Sequence, residues 1–176
     1  SNKQNDATRA WNLSTALFYK SSNIPWHPAE LRTGGCFAGV SFHHLRRRGG
    51  DLTYASLAQA YSTESEPFAL KGKAIAKNQI RNKQPFLTAR QASSLAERVI
   101  KEYVSRTGAL PSTLVLHKTS QYQPEEIEGF MDVAGRLVPS CELVWIRPTG
   151  LRLVRKGDQP PTRGTLLQIG KENSFL

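Results

Sequence analysis

The sequence predicts a single α/β domain in which a mixed β-sheet is flanked by helices. A short apolar run from Thr113, a helix-start signal and a second apolar run from Cys141 indicate a strand–helix–strand unit with parallel strands. Two strand-like segments nearer the amino terminus favour an antiparallel hairpin, and a long amphipathic helix separates the two parts. The 176 residues suffice for one domain with its own core.

The first third of the chain predicts one helix followed by three strands. The helix is "NDATRAWNLSTALFYK", capped by Asn5 or Asp6, with Ala10, Leu13 and Leu17 on its core-facing side. "GGCFAGVSFHHL" predicts the first strand, and the start of "LTYASLAQAYS" predicts a second strand that pairs back on it. "FALKGKAIA" predicts the third.

The remaining elements follow from capping signals and apolar runs. "LTARQASSLAERVIKEYVSRTG" is a helix with Thr88 as N-cap, Gln91 completing a capping box, and Gly108 at the C′ position. "PSTLVLHKTS" predicts a strand, "QPEEIEGFMDVAGRLV" a helix with Pro124 in its first turn, and "CELVWIR" another strand. "LRLVRKG" and "GTLLQI" predict two last strands.

The charge balance points to an anionic partner. The formal net charge is +10 and the isoelectric point about 10.0, which favours nucleic acid first and an acidic membrane surface second. No segment approaches the ~20 apolar residues of a membrane span. Cys36 and Cys141 are expected to be reduced thiols, and the four histidines show no metal-ligand spacing with them.

Six segments carry a resemblance to a known family. A hairpin opened by "GVS", a long helix and a βαβ unit follow in the order of a ribonuclease H-like fold. "WNLSTALFYKSSNIPW", "CFAGVSFHHL", "LVLHKTS", "EEIEGF", "LRLVRKG" and "PPTRGTLLQI" together resemble the PIWI domain of prokaryotic Argonaute proteins. The resemblance implies a single PIWI (ribonuclease H-like) domain over residues 1–176, C-terminally incomplete, preceded by a MID domain in the full-length protein.

The resemblance also indicates which catalytic residues are replaced. Active PIWI domains hold Mg²⁺ with clustered carboxylates, which hard cations require. The first two aspartate positions fall on Ser41 in "AGVSF" and on Thr119 in "HKTS". The third acid should lie between Glu66 and Glu97, where the chain has no Asp or Glu. A catalytically inactive domain is therefore expected, with no cofactor apart from Mg²⁺ at a guide 5′ phosphate in the full-length protein.

Three sets of residues are candidates for contact with nucleic acid. Asn12 and Lys20 match the family positions that contact the guide 5′ phosphate, although Ala16 departs from that pattern. An ordinary solvated lysine is the alternative for Lys20. The second set lies at the end of the strand in "PSTLVLHKTS" and comprises His117, Lys118 and Ser120. The third set lies in or near the last two predicted strands and comprises Arg152, Arg155 and Arg163. Both sets suit phosphate oxygens. For Thr119 and Ser120, simple capping of the next turn is the alternative.

The function implied is guide-dependent nucleic-acid binding, RNA or DNA, in prokaryotic defence against invading DNA. The expected partners are a guide and a target strand, the MID domain and an associated effector, in the cytoplasm and away from membranes. Two alternatives stay open. One is an active Mg²⁺-dependent guided endonuclease with displaced acids such as Asp51 or Glu142, and the other is a basic protein-interaction module. Glu125, Glu126 and Glu128 are expected on a solvated face at a helix start.

Overall fold

The protein is described by a computed structural model that covers most of the chain. Its described residues are 5–21, 33–46, 52–62, 67–76, 78–154, 156–157, 162 and 164–175. The chain divides into two compact units, Ser1–Trp145 and Ile146–Leu176. Within the described ranges, no helix is long and apolar enough to cross a membrane.

The first unit contains all three helices and most strands of the described chain. Its elements are α1 (Asp6–Lys20), β1 (Gly35–Arg46), β2 (Leu52–Ser62), β3 (Phe68–Ile75), β4 (Ile80–Arg81), β5 (Gln84–Pro85), α2 (Ala89–Thr107), β6 (Thr113–Lys118), α3 (Pro124–Leu137) and β7 (Ser140–Trp145). These bounds confirm the predicted order of the main helices and strands. The small β4–β5 pair was not predicted.

The second unit differs from the prediction in its strand pairing. It contains β8 (Leu167–Ile169) and β9 (Asn173–Phe175), which form a two-stranded antiparallel sheet. The predicted strand in "LRLVRKG" is wrong for its described part, because residues 151–154 are not in a strand. The segment "GTLLQI" does supply β8, but its partner follows it in sequence. The three residues 170–172 connect the two strands in a tight hairpin.

The main sheet has five strands in the order β3-β2-β1-β6-β7. β1 pairs antiparallel with β2 and parallel with β6, and β6 pairs parallel with β7. The predicted mixed α/β sheet is thereby confirmed. The last registered pair between β1 and β6 is Gly39 with His117, so Ser41 and Thr119 each lie two residues beyond it.

Helices α2 and α3 cover one face of this sheet. Alternate residues of β1 and β6 point to the same side, because successive side chains of a strand face opposite ways. Cys36 is registered beside Leu114, and Ala38 beside Leu116; all four are buried. The helices contribute the rest of this core: Ala92, Leu95, Ala96, Val99, Ile100, Tyr103, Phe130, Val133 and Ala134.

The capping residues of α2 behave as the sequence predicts. The Thr88 hydroxyl accepts a hydrogen bond from the Gln91 backbone N–H, and the Gln91 side chain accepts one from the Thr88 N–H, which completes the capping box. Gly108 has a φ of 79° at the other end, in the left-handed region that glycine adopts at little cost. Local chemistry therefore fixes both ends of this helix.

Helix α1 confirms its predicted cap and overturns its predicted core face. The side chain of Asn5 accepts from the Ala7 N–H at 2.9 Å. No described side chain of α1 is buried, and Leu13 and Leu17 are 62% and 60% exposed. The expectation that Ala10, Leu13 and Leu17 pack on the core is wrong. Periodicity identifies an apolar face but does not say what meets it.

Helices α2 and α3 approach most closely at Gly129. The Ser93 hydroxyl of α2 donates to the Gly129 carbonyl at 2.9 Å. A Cβ at position 129 would overlap the carbonyl oxygen of Ala89 and lie 2.8 Å from its Cα. The neighbour is backbone at the start of α2, so no side chain can rotate away. Glycine is therefore required here for close packing.

The substitution Gly129→Ala is expected to lower the free energy of unfolding by at least about 1–3 kcal/mol, the usual cost of overpacking. Gly135 lies in the same helix, and a Cβ there would meet nothing within 4 Å. Gly135→Ala should therefore stabilise the protein by up to about 1 kcal/mol through helix propensity. Urea unfolding of both variants measures the difference. Equal effects of the two substitutions would contradict the close approach.

Candidate functional site

A pocket opens where the parallel pairing of β1 and β6 ends. It has a volume of about 290 Å³. Its lining residues come from β1, β5 and the segment after β6: Val40, Ser41, Phe42, Gln84, Pro85, Thr119 and Ser120. The two residues at the expected aspartate positions, Ser41 and Thr119, therefore line one pocket together with Ser120. Polar side chains beyond the carboxyl ends of parallel strands are the usual place for a ligand in an open α/β sheet.

The second wall of the pocket comes from the β4–β5 hairpin, which sequence reasoning missed. Its strands of two residues each are too short to show a hydrophobic period. The available signal was Asn82, a residue that tolerates left-handed turns, between polar neighbours in "QIRNKQPF". The Gln84 side chain accepts from the Gln121 N–H at 3.2 Å and ties the hairpin to the segment after β6.

The polar atoms in the pocket are hydroxyls and an amide. The lining residues include no carboxylate, and the described residues hold no group of three His, Cys, Asp or Glu that could bind a metal. A two-magnesium centre of the kind that active PIWI domains use needs clustered carboxylates. The residues present do not fit such a centre.

One hydroxyl in this pocket has an unmet hydrogen-bonding capacity. The Ser120 Oγ is buried and has no hydrogen-bond partner among the described residues. Buried polar groups nearly always have a partner, so an exception marks a place for a ligand or a water. The backbone beside it is held firmly, because the Trp145 indole donates to the Thr119 carbonyl at 3.2 Å.

Lys118 faces the interior instead of the pocket, which corrects the prediction that it contacts phosphate. Its Nζ lies 2.7 and 2.6 Å from the two carboxylate oxygens of Glu126, and both side chains are 0% exposed. Strand alternation gives the reason. Lys118 follows Leu114 and Leu116 on the face that α2 and α3 cover. Burial lowers the pKa of Lys118, and the hydrogen bond and charge of Glu126 oppose that shift.

Glu126 accepts hydrogen bonds from backbone groups as well as from the lysine. Its carboxylate also accepts from the backbone N–H of Leu87 at 3.1 Å and from that of Gln123 at 2.8 Å. The expectation of a solvated face is therefore wrong for Glu126, which ties the starts of α2 and α3 to the end of β6. Glu128 is exposed as expected, and Glu125 pairs with Arg81 at 3.0 Å.

Aromatic rings surround the buried ammonium group. The Nζ of Lys118 lies 4.7 Å from the ring centroid of Tyr122 and 5.7 Å from that of Phe42, both within cation–π range. The Tyr122 hydroxyl donates to the Leu116 carbonyl at 2.7 Å, and burial raises the pKa of this phenol. Phe42 also lines the pocket, so the lysine lies one ring behind the pocket wall.

None of the other described candidate residues is among those that line the pocket. His117 packs across Gly39 on β1: a Cβ at Gly39 would lie 2.9 Å from its Nε2. Asn12 and Lys20 are exposed on α1 and do not line the pocket. Arg152 is exposed in the second unit. Arg155 and Arg163 lie outside the described residues, as does Asp51.

The sequence matches no family model and no curated protein. Among solved structures, Aquifex aeolicus Argonaute is similar at 14% identity and a TM-score of 0.51, over 80% of this chain and 20% of that one. The fold is Argonaute-like. A second structure of the A. aeolicus protein matches at 14% identity and a TM-score of 0.50, over 75% of this chain and 18% of the other. Marinitoga piezophila Argonaute with a 5′-OH guide RNA shows 12% identity and a TM-score of 0.46, over 67% of this chain and 17% of that one.

The likeness to the two A. aeolicus structures confirms the predicted Argonaute-like α/β fold. The chain spans about a fifth of the length of the A. aeolicus protein. The confirmed features are the mixed sheet and the order of its strands and helices.

Removing one partner of the buried ion pair should be costly. Lys118→Met is expected to lower the free energy of unfolding by about 3–5 kcal/mol, because Glu126 would remain buried without a counter-charge. Combining it with Glu126→Gln should recover part of that loss, since the amide still accepts a backbone hydrogen bond. Urea unfolding of the single and double variants measures the coupling.

Arg136→Met provides a matched control, because the Arg136–Asp132 pair is 69% and 58% exposed. It should cost no more than about 1 kcal/mol. Similar losses for Lys118→Met and Arg136→Met would show that the buried pair contributes no more than a surface pair.

Proposed function

We propose that this chain is the PIWI domain of a catalytically inactive Argonaute that binds a guide strand and its target. One observation carries the proposal: in an Argonaute-like fold, Ser41 and Thr119 line the pocket at the end of the β1–β6 pairing, and no carboxylate accompanies them. Such a pocket suits anionic phosphate oxygens better than a divalent cation, because its hydroxyls can donate hydrogen bonds but carry no charge.

The charge of the chain supports a polynucleotide ligand. A net charge of +10 attracts phosphates along an extended backbone. Several described cations are exposed, among them Lys20, Lys71, Lys73, Lys83 and Arg152. In this proposal base pairing with the guide selects the target, while the protein recognises shape and charge.

The wider setting belongs to the same proposal. The domain works in the cytoplasm in defence against invading DNA, next to the MID domain of the full-length Argonaute, and passes recognition to an associated effector. Any Mg²⁺ would serve the guide 5′ phosphate and not the pocket, since the pocket offers it no carboxylate.

The full-length protein, loaded with a guide, should bind a complementary labelled target and leave it intact in Mg²⁺ or Mn²⁺. Binding should weaken by orders of magnitude between about 50 and 200 mM salt, because several phosphate contacts release counterions. Gel analysis of the target and fluorescence anisotropy measure the two properties. A cut at one defined, guide-directed position would overturn the proposal of inactivity, and affinity independent of salt would overturn that of backbone binding.

The variant Ser41→Asp with Thr119→Asp is the informative control for that assay. It should also fail to cut, since the segment between Glu66 and Glu97 supplies no third acid.

Lys20 offers a separate test of where the guide begins. Asn12 and Lys20 are eight residues apart on exposed α1, so they share one side of the helix. In the full-length protein, Lys20→Ala should weaken binding of a 5′-phosphorylated guide by about 1.5–3 kcal/mol, the worth of a hydrogen bond to a charged group. A 5′-hydroxyl guide should bind wild type and variant alike. Equal weakening of both guides would remove Lys20 from the 5′-phosphate site.

A protein-interaction module is the second candidate, and α1 favours it. Leu13 and Leu17 are exposed on one side of this helix, as expected for a surface that packs on another protein. Under this alternative, Leu13→Ser with Leu17→Ser would abolish partner binding and leave nucleic-acid affinity unchanged.

A further inference from the structure

The tip of the β4–β5 hairpin has an unusual backbone. Asn82 and Lys83 connect the strands with φ angles of 51° and 62°, and they are the described non-glycine residues with positive φ. A two-residue turn with both φ values positive matches the twist of a hairpin, and its second position usually holds glycine. A lysine there costs conformational energy, and residues held in such regions often cluster at functional sites.

The hairpin is anchored by side chains on both sides of its tip. Arg81 donates to Gln123 at 2.7 Å and to Glu125 at 3.0 Å, and its guanidinium lies 4.9 Å from the Phe86 ring centroid. The bond from the Gln121 N–H to Gln84 holds the other strand. These contacts fix the hairpin against the segment that carries Ser120.

The two cations in the hairpin, Arg81 and Lys83, differ in whether a carboxylate pairs with them. Glu125 neutralises Arg81, whereas Lys83 is exposed and makes no ion pair among the described residues. The sequence around it cannot supply a carboxylate, because no acid occurs between Glu66 and Glu97. No described carboxylate therefore pairs with Lys83, which immediately precedes Gln84 of the pocket wall in the sequence.

The opposite wall contains one buried hydroxyl without a hydrogen-bond partner among the described residues. The Ser120 Oγ is buried in the pocket lining and makes no hydrogen bond among the described residues. The neighbouring Thr119 adds a second hydroxyl to the same lining. A ligand that accepts hydrogen bonds and carries negative charge could accept a hydrogen bond from the Ser120 hydroxyl and attract the charge of Lys83 at the same time.

We propose that this pocket, with Lys83 beside it, binds one phosphodiester group of the nucleic-acid backbone without a metal ion. Lys83 supplies the charge, and the hydroxyls of Thr119 and Ser120 donate to the non-bridging oxygens. The inference rests on the proposed nucleic-acid function and adds to it a ligand group and a residue, Lys83, outside the three sets of candidate residues named above.

Fluorescence anisotropy with a labelled oligonucleotide tests the role of Lys83 in the full-length protein. Lys83→Ala should weaken binding about three- to tenfold at 100 mM salt and reduce the log–log salt slope by about one, the effect of one lost phosphate contact. Lys83→Arg should restore both values. Lys101→Ala is the matched control, since it removes another exposed lysine, from α2. It should change neither value.

Ser120→Ala separates a ligand contact from a structural role. The hydroxyl has no partner in the described structure, so its removal should leave urea stability unchanged or raised. Affinity should nevertheless fall roughly two- to tenfold, the worth of one hydrogen bond. The affinity is measured with the oligonucleotide alone, without a guide. Replacing Mg²⁺ by EDTA should change neither the stability nor the affinity.

The outcomes distinguish this inference from the proposed function. If the wild type binds no oligonucleotide, the proposed function fails. If it binds with a steep salt slope and Lys83→Ala and Ser120→Ala both match Lys101→Ala, the pocket inference alone is overturned. Loss of wild-type binding of a 5′-hydroxyl oligonucleotide in EDTA would also overturn it, because a metal other than one at a 5′ phosphate would then be required.

Discussion

The buried Lys118–Glu126 ion pair is the interaction on which the rest of the first unit depends. Glu126 accepts from the end of β6 through Lys118, from the start of α2 through the Leu87 N–H, and from the start of α3 through the Gln123 N–H. Two aromatic rings cover the ammonium group. Charges this deeply buried are tolerated only when both are paired and hydrogen-bonded. The two helices and the sheet are therefore held in one arrangement.

This arrangement also shapes the pocket. The chain leaves β6 immediately after Lys118, so the orientation of the lysine sets the positions of Thr119 and Ser120. Phe42 contacts the lysine on one side and lines the pocket on the other. The pocket therefore has an enclosed cation behind Phe42, and its lining contains the hydroxyl-bearing residues Ser41, Thr119 and Ser120.

Sequence reasoning succeeded where structure is decided locally. Thr88, Gln91 and Gly108 fix the ends of α2 through contacts within a few residues, and the strand–helix–strand unit follows from apolar runs. The sequence did not predict the features that depend on contacts between residues far apart in the chain. The period of β6 would have placed Lys118 in the core, but a lysine is rarely buried, and its partner Glu126 appeared to be an ordinary helix-start acid. The β4–β5 hairpin is too short for periodicity, and its position depends on Arg81 contacts to α3.

The strand order has a consequence for folding. β1, β2 and β3 pair with sequence neighbours and can associate early, whereas the parallel pairing of β1 with β6 must wait until α2 has been made. A chain in which only β1, β2 and β3 had paired would have an open strand edge on β1 and would leave Cys36, Ala38 and Val40 without α2 and α3 over them. Rapid closure by α2, whose two ends are encoded locally, shortens the period in which that surface can aggregate.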